Sequence, residues 1–165
     1  MADCRLLFVC LGNICRSPAA EGVFLHLLDR DDLGDRFEVD SAGTGSWHVG
    51  HAADRRMRGA AARRGIELSS RARQIELADF SRFHRILTMD DDNLRAVRAL
   101  ALQLGNRPGL ARIEPLTSYC RRFSVREVPD PYYGGEQGFE QVLDLLEDAC
   151  AGLLETLLSE AGQNP

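Results

Sequence analysis

Apolar residues fill the chain from Cys4 to Cys10 almost without interruption. A run this short and this apolar predicts a strand buried on both faces, as in a parallel sheet. Ser17-Pro18 then predicts the opening of a helix, with serine as cap and proline at the first helical position. Val23, Leu27 and Arg30 continue it at helical spacing. Residues 37–41 predict a second strand, ended by the turn-prone Ala42-Gly43-Thr44-Gly45. Residues 52–64 predict a helix stopped by Gly65, and 85–89 a third strand. Asp90, Asp91 and Asp92 suit the positive end of a helix running to about Leu104, before Gly105-Asn106. Residues 111–116 predict a fourth strand. After a Pro-rich loop around Asp130, residues 139–158 form an amphipathic pattern with Val142, Leu145, Leu146 and Ala149 on one face.

Strands alternating with helices predict an α/β fold with a parallel sheet covered on both faces. Sites in such sheets lie beyond the carboxyl ends of the strands, and the first strand ends at Cys10. With no repeat, linker or low-complexity block, residues 1–165 are expected to form a single domain.

Composition removes several classes of function. The 44 % hydrophobic and 27 % charged content is that of an ordinary globular chain. No apolar run approaches the length of a membrane span, so no membrane insertion is expected. The N-terminus lacks a basic leader and a small-residue cleavage site, which places the expected compartment in the cytoplasm. A net charge of −5 argues against a nucleic-acid partner. All 20 basic residues are arginine, and seven fall between Arg55 and Arg73. A solvated helix face is the first reading of that cluster, and a guidance patch for anionic substrates the second. Five scattered cysteines (Cys4, Cys10, Cys15, Cys120, Cys150) fit neither a disulfide framework nor a zinc site. His26, His48, His51 and His84 show no nucleophile–base or metal spacing and carry no assigned role.

The informative segment is Cys10-Leu11-Gly12-Asn13-Ile14-Cys15-Arg16-Ser17. A cysteine leaves the first strand and an arginine precedes a helix, which is the layout of a phosphate-binding loop. Gly12 and Asn13 tolerate left-handed backbone angles, so successive N–H groups can curl toward one point. The following helix adds its own free N–H groups there. Arg16 supplies a planar cationic fork for two phosphate oxygens. The same dipoles favour the thiolate form of Cys10, and Ser17 can donate to that sulfur. Such a thiolate would attack phosphorus and form a cysteinyl-phosphate, a scheme that calls for no cofactor or metal. The best candidate to give the leaving group its proton is Asp130, in Val128-Pro129-Asp130-Pro131-Tyr132-Tyr133, although sequence spacing alone does not place it beside Cys10. Prolines restrict that loop, and the tyrosines partly shield the carboxyl.

LFVCLGNICRSPAAE, at residues 7–21, closely resembles the signature of the low-molecular-weight protein-tyrosine phosphatases. DSAGTGSWHVG (40–50), ARQI (72–75), ILTMDDDNL (86–94) and EVPDPYYGG (127–135) follow in the family's order and cover nearly the whole chain. The resemblance implies a four-stranded parallel sheet flanked by helices, and metal-free hydrolysis of phosphotyrosine and aryl phosphates. It matches Cys10 to the nucleophile, Arg16 to the phosphate-binding arginine and Asp130 to the general acid. It matches Leu11, Gly12, Asn13, Ile14, Cys15 and Ser17 to the loop around the phosphate. Asn13, Ser17, Ser41 and Asp90 match loop-supporting positions, and Trp47, Tyr132 and Tyr133 match the aromatic walls. Ile14 occupies a position where tyrosine-directed members resemble one another. Cys15 reads as a small filler inside the loop or, as the resemblance favours, as a second thiol in reversible oxidation with Cys10. Ser70 stands where many members carry a histidine, a departure in the supporting network. Phosphotyrosine proteins are the implied partners, with a tyrosine kinase as counterpart, and an oxyanion is the implied ligand.

Two other readings are weighed. A thiol-dependent arsenate reductase of the same fold needs further relay cysteines, and residues 75–106 contain none. A non-catalytic phosphotyrosine-binding module would have little use for a retained Cys10, Arg16 and Asp130.

Overall fold

The computed structural model describes residues 2–163. Four strands, β1 (Cys4–Cys10), β2 (Phe37–Gly43), β3 (Arg85–Thr88) and β4 (Arg112–Pro115), form one sheet in the order β2-β1-β3-β4. All neighbours are parallel. The helices are α1 (Arg16–Arg30), α2 (Arg55–Ala62), the single-turn α3 (Asp79–Arg82), α4 (Asp91–Ala101) and α5 (Glu136–Gln163). The expected α/β architecture is the one observed.

β1 has a neighbour on each side and a hydrophobic layer above and below, which is why its sequence does not alternate. Leu6 and Phe8 point into a core with Val23 and Phe24 of α1 and Val142 and Leu146 of α5. Leu7 and Val9 point the other way, toward Ile75, Phe80, Phe83 and Val97. These β1 side chains are fully buried, each contributing about 1.5–3 kcal/mol. Among the described residues no helix is long and apolar enough to cross a membrane.

Local chemistry moves several boundaries from where the pattern put them. α1 starts at Arg16, with Cys15 at its cap and no side chain capping it. Ser17, expected as the cap, therefore lies inside the first turn, Pro18 stands two positions after the first helical residue, and the Ser17 hydroxyl is spent on Cys10 and Asn13. α2 starts at Arg55 because the Asp54 carboxylate accepts from the N–H groups of Arg56 and Met57. Ala52, expected in that helix, instead bridges Arg71. α4 begins where its acidic run predicted, through a reciprocal capping box between Asp90 and Asn93. β2 runs on to Gly43, which pairs with Cys10.

The arginine cluster is largely occupied. Arg63 and Arg64 bind Glu140, Asp144 and Glu147 of α5, and Arg73 binds Asp40 and Asp79. Arg56 pairs with Asp54. Buried Asp148 on α5 collects the backbone N–H groups of Arg121, Arg122 and Phe123 at 3.0–3.1 Å. That fixes the turn from which the chain leads to Val128 and Asp130.

Candidate active site

β1 ends at the mouth of a cleft of about 460 Å³, and the loop from Cys10 to Arg16 forms its floor. The loop holds its curl through Asn13, whose φ of +56° lies in the left-handed region that asparagine tolerates. All the hydrogen-bonding groups of the Asn13 side chain are in use. Nδ2 donates to Ser17 Oγ at 2.7 Å and to Ser41 Oγ at 3.0 Å, while Oδ1 accepts from Arg73 N at 3.0 Å. Gly43 lets β2 approach closely, since a Cβ there would stand 2.7 Å from the Leu11 carbonyl.

Cys10 Sγ sits inside this frame. It accepts from Asn13 N at 3.3 Å and lies 3.0 Å from Ser17 Oγ. Because Ser17 Oγ already accepts from Asn13, its own hydrogen is free for a neighbour. The sulfur at 3.0 Å is closer than the Ala42 carbonyl at 3.4 Å. Two donors thus converge on Sγ at an uncapped helix N-terminus.

The frame continues to a carboxyl that the sequence reading did not include. Ser41 Oγ donates to Glu21 Oε1 at 2.6 Å. Burial pushes the Glu21 carboxyl above its usual range, and the bond from Ser41 offsets this only in part.

Arg16 is 3 % exposed. Its Nη1 donates to Asp90 Oδ2 at 2.6 Å and to the Val128 carbonyl at 3.0 Å. Nη2 stands 3.7 Å from Asp130 Oδ2. Burial works against the charge, but the Cys10 sulfur, Asp90 and Asp130 together hold the guanidinium more firmly protonated than usual. Asp130 Oδ1 accepts from Tyr132 N at 3.0 Å, which leaves Oδ2 as the oxygen facing Arg16.

Trp47, Tyr132 and Tyr133 wall the cleft together with Leu11, Ile14 and His48. Trp47 and Tyr133 are 70 % and 93 % exposed, so these rings stand out from the body rather than packing in it. The Tyr132 and Tyr133 rings meet edge to face at 4.9 Å. Cys10, Leu11, Gly12, Ile14, Cys15, Arg16, Asp130 and the three aromatic residues all border the cleft. Asn13 and Ser17, expected to touch substrate as well as support the loop, do not line the cleft; they are buried behind it. Asp90 and Ser41 likewise stand behind it. His48, to which spacing gives no role, borders the cleft; its place directly after Trp47 is the available signal.

This floor can receive a tetrahedral oxyanion, with backbone donors and one guanidinium around it and a carboxyl above. Among the described residues no three His, Cys, Asp or Glu side chains are grouped to hold a metal ion. The sequence profile of the family described as "Low molecular weight phosphotyrosine protein phosphatase" matches residues 5–163. A low molecular weight protein-tyrosine-phosphatase of Streptomyces coelicolor is 44 % identical over 91 % of this chain and 91 % of its own length. The low molecular weight phosphotyrosine protein phosphatase of Homo sapiens is 41 % identical over 91 % of this chain and 93 % of its own. The crystal structure of a protein tyrosine phosphatase from Entamoeba histolytica, with Hepes in its active site, superimposes with a TM-score of 0.88. It is 42 % identical and covers 96 % of this chain and 99 % of its own.

Proposed function

This chain belongs to the low molecular weight phosphotyrosine protein phosphatase family, and on that premise we propose that Cys10 is its nucleophile, Arg16 its phosphate clamp and Asp130 its general acid and base. The observation that carries the assignment is the convergence of Asn13 N and Ser17 Oγ on Cys10 Sγ, beside a buried Arg16 that faces Asp130.

In the first half-reaction the Cys10 thiolate attacks phosphorus in line. The P–O bond to the aryl group breaks, and the departing phenolate takes the proton of Asp130. The Arg16 fork and the loop N–H groups hold the equatorial oxygens as charge spreads over them. In the second half-reaction a water gives a proton to the Asp130 carboxylate and attacks phosphorus. The S–P bond breaks, inorganic phosphate leaves and the thiolate is restored. Each proton moved in the first step returns in the second.

Support for an oxyanion on this floor comes from the Entamoeba relative, whose active site holds Hepes, a sulfonate. The protruding Trp47 and Tyr133 suit a flat phenyl ring, and phosphotyrosine proteins are the substrates on this reading. Residues 1–165 act as one phosphatase unit, a reading that rests on the profile match across 5–163. A cytoplasmic site of action fits five free cysteines, and the natural counterpart is a tyrosine kinase. Cys15 borders the cleft with Cys10, which supports its assignment as a protecting thiol.

Hydrolysis of a phosphotyrosine peptide by the parent and by Cys10→Ser tests the reading. The expected result is a parent rate several orders of magnitude above the variant, with stoichiometric phosphate trapped on sulfur in an acid quench. Equal rates would remove Cys10 from the mechanism and favour a binding module.

A further inference from the structure

We propose that Arg56 is the positioning residue that holds the acid-bearing loop in register with the phosphate loop, an inference that rests on Asp130 being the acid.

Arg56 does not border the cleft. It is the middle of a continuous set of bonds between the two catalytic segments. On one side, Asp54 N donates to the Ile14 carbonyl at 2.7 Å, which ties the start of α2 to the phosphate loop. The Asp54 carboxylate then grips Arg56 twice, with Oδ1 to Nε at 3.3 Å and Oδ2 to Nη2 at 3.2 Å. On the other side, Arg56 Nη2 donates to the Tyr132 carbonyl at 2.7 Å. The N–H of the same Tyr132 donates to Asp130 Oδ1 at 3.0 Å. The path from Ile14 to the carboxyl of Asp130 has no gap.

The acid loop has little else to hold it. Among the described residues, segment 129–134 receives one hydrogen bond from another element, and that bond comes from Arg56. Its other bonds are local, or pass to Arg16 as an ion pair. Val128, just before it, is fixed through Met89 O and Arg16. Beyond that point Pro129 and Pro131 limit the backbone but do not anchor it.

The guanidinium also lies against two rings, 5.5 Å from the centroid of Tyr132 and 4.8 Å from that of Phe139. Phe139 is fully buried on α5, so the plane is referenced to the core. A planar fork with several donors can serve Asp54, the carbonyl and both rings together; an ammonium cannot. Asp54 responds to the grip. Burial acts to raise its carboxyl, yet the bonds from Arg56 and from the N–H groups of Arg56 and Met57 hold it below the usual range. The Arg56 side chain is 46 % exposed, and such a pair adds little to global stability. Its effect lies in the placement of one carboxyl.

The test is kcat/KM across aryl phosphates from dinitrophenyl to phenyl, for the parent, Arg56→Gln, Arg56→Lys, Asp130→Asn and Arg56→Gln/Asp130→Asn. Because an ångström of misplacement can cost up to about 100-fold, Arg56→Gln is expected to lose about tenfold on phenyl phosphate and under about twofold on the dinitrophenyl ester. Arg56→Lys should resemble Arg56→Gln, and it carries the comparison if the glutamine variant does not fold. Inhibition by inorganic phosphate should stay at the parental level, since the Cys10–Arg16 floor is untouched. In the Asp130→Asn background the Arg56 change should add nothing. A loss that is flat across the leaving groups, or that adds to Asp130→Asn, overturns the inference while leaving Asp130 in its role. If Asp130→Asn is itself flat, the acid assignment falls and takes the Arg56 inference with it.

Discussion

One carboxylate, Asp90, serves two elements: Oδ2 holds Arg16 Nη1 at 2.6 Å, and Oδ1 accepts from Asn93 N at 2.8 Å to cap α4. The capping box that starts α4 therefore also sets the angle of the guanidinium at the end of β1. The two halves of the sheet are joined at the point where phosphate is expected.

Asp90→Asn keeps a good helix cap but removes the charge opposite Arg16. Arg16 is then left with the Val128 carbonyl and the facing Asp130. The expected result is a fall in kcat/KM of about tenfold, equal for good and poor leaving groups, because phosphate orientation rather than protonation is lost. A leaving-group series separates this flat loss from the sloped loss expected at Arg56.

The five cysteines should differ sharply toward iodoacetate. Burial pushes the thiols of Cys4, Cys15, Cys120 and Cys150 up, with Cys120 at about 11. Among the described residues only Cys10 has two donors aimed at its sulfur. At neutral pH alkylation should stop at about one thiol per chain, on the Cys10 peptide, and inorganic phosphate should slow it. Peptide mass spectrometry reads both. Label on Cys15 in preference to Cys10 would reverse the assignment of the reactive sulfur.

The fold was legible where local chemistry and periodicity agree. The run of Cys4 to Cys10 and the acidic start of α4 each announce their element in the residues themselves. Boundaries drifted where a polar side chain had a second use. Ser17 reads as a cap, yet its hydroxyl serves Cys10 and Asn13, more valuable partners in a buried loop. Asp54 sat unremarked within a predicted helix because nothing local says that its carboxylate will cap and also grip Arg56. Glu21 and His48 were missed for a related reason. Their surroundings are set far along the chain, by Ser41 for one and by the cleft for the other. Spacing can reveal a loop that folds on itself; it is silent about bonds made only once the sheet has formed.

Asp148 gives stability a defined pH dependence. Burial acts to raise its carboxyl, but the N–H groups of Phe123, Arg121 and Arg122 hold it below the ordinary aspartate value of 3.8. A depressed acid contributes stability above its unfolded pKa, and that contribution is lost as pH falls through the folded value. Asp148→Asn should therefore be less stable than the parent by about 2 kcal/mol at pH 7, in line with the worth of charged hydrogen bonds. The gap should close below about pH 4, where the parent carboxylate takes up its proton. Urea unfolding at both pH values measures it; a gap that widens in acid would show that the sign is wrong.

Thr88 ends β3 between Val9 and Pro115, is fully buried, and its hydroxyl has no hydrogen-bond partner among the described residues. Valine has the same shape and the same preference for extended backbone, without the orphaned hydroxyl. Since an unpaired buried hydroxyl costs about 1–3 kcal/mol in proteins, Thr88→Val should raise unfolding free energy by about 1 kcal/mol and leave kcat unchanged. Thr88→Ser separates the causes, because it keeps the hydroxyl and removes only the methyl; it should destabilise by opening space beside Val9. If valine instead weakens the fold, the hydroxyl is bonded to an internal water, and the end of β3 next to Asp90 is held by that water rather than by dry packing.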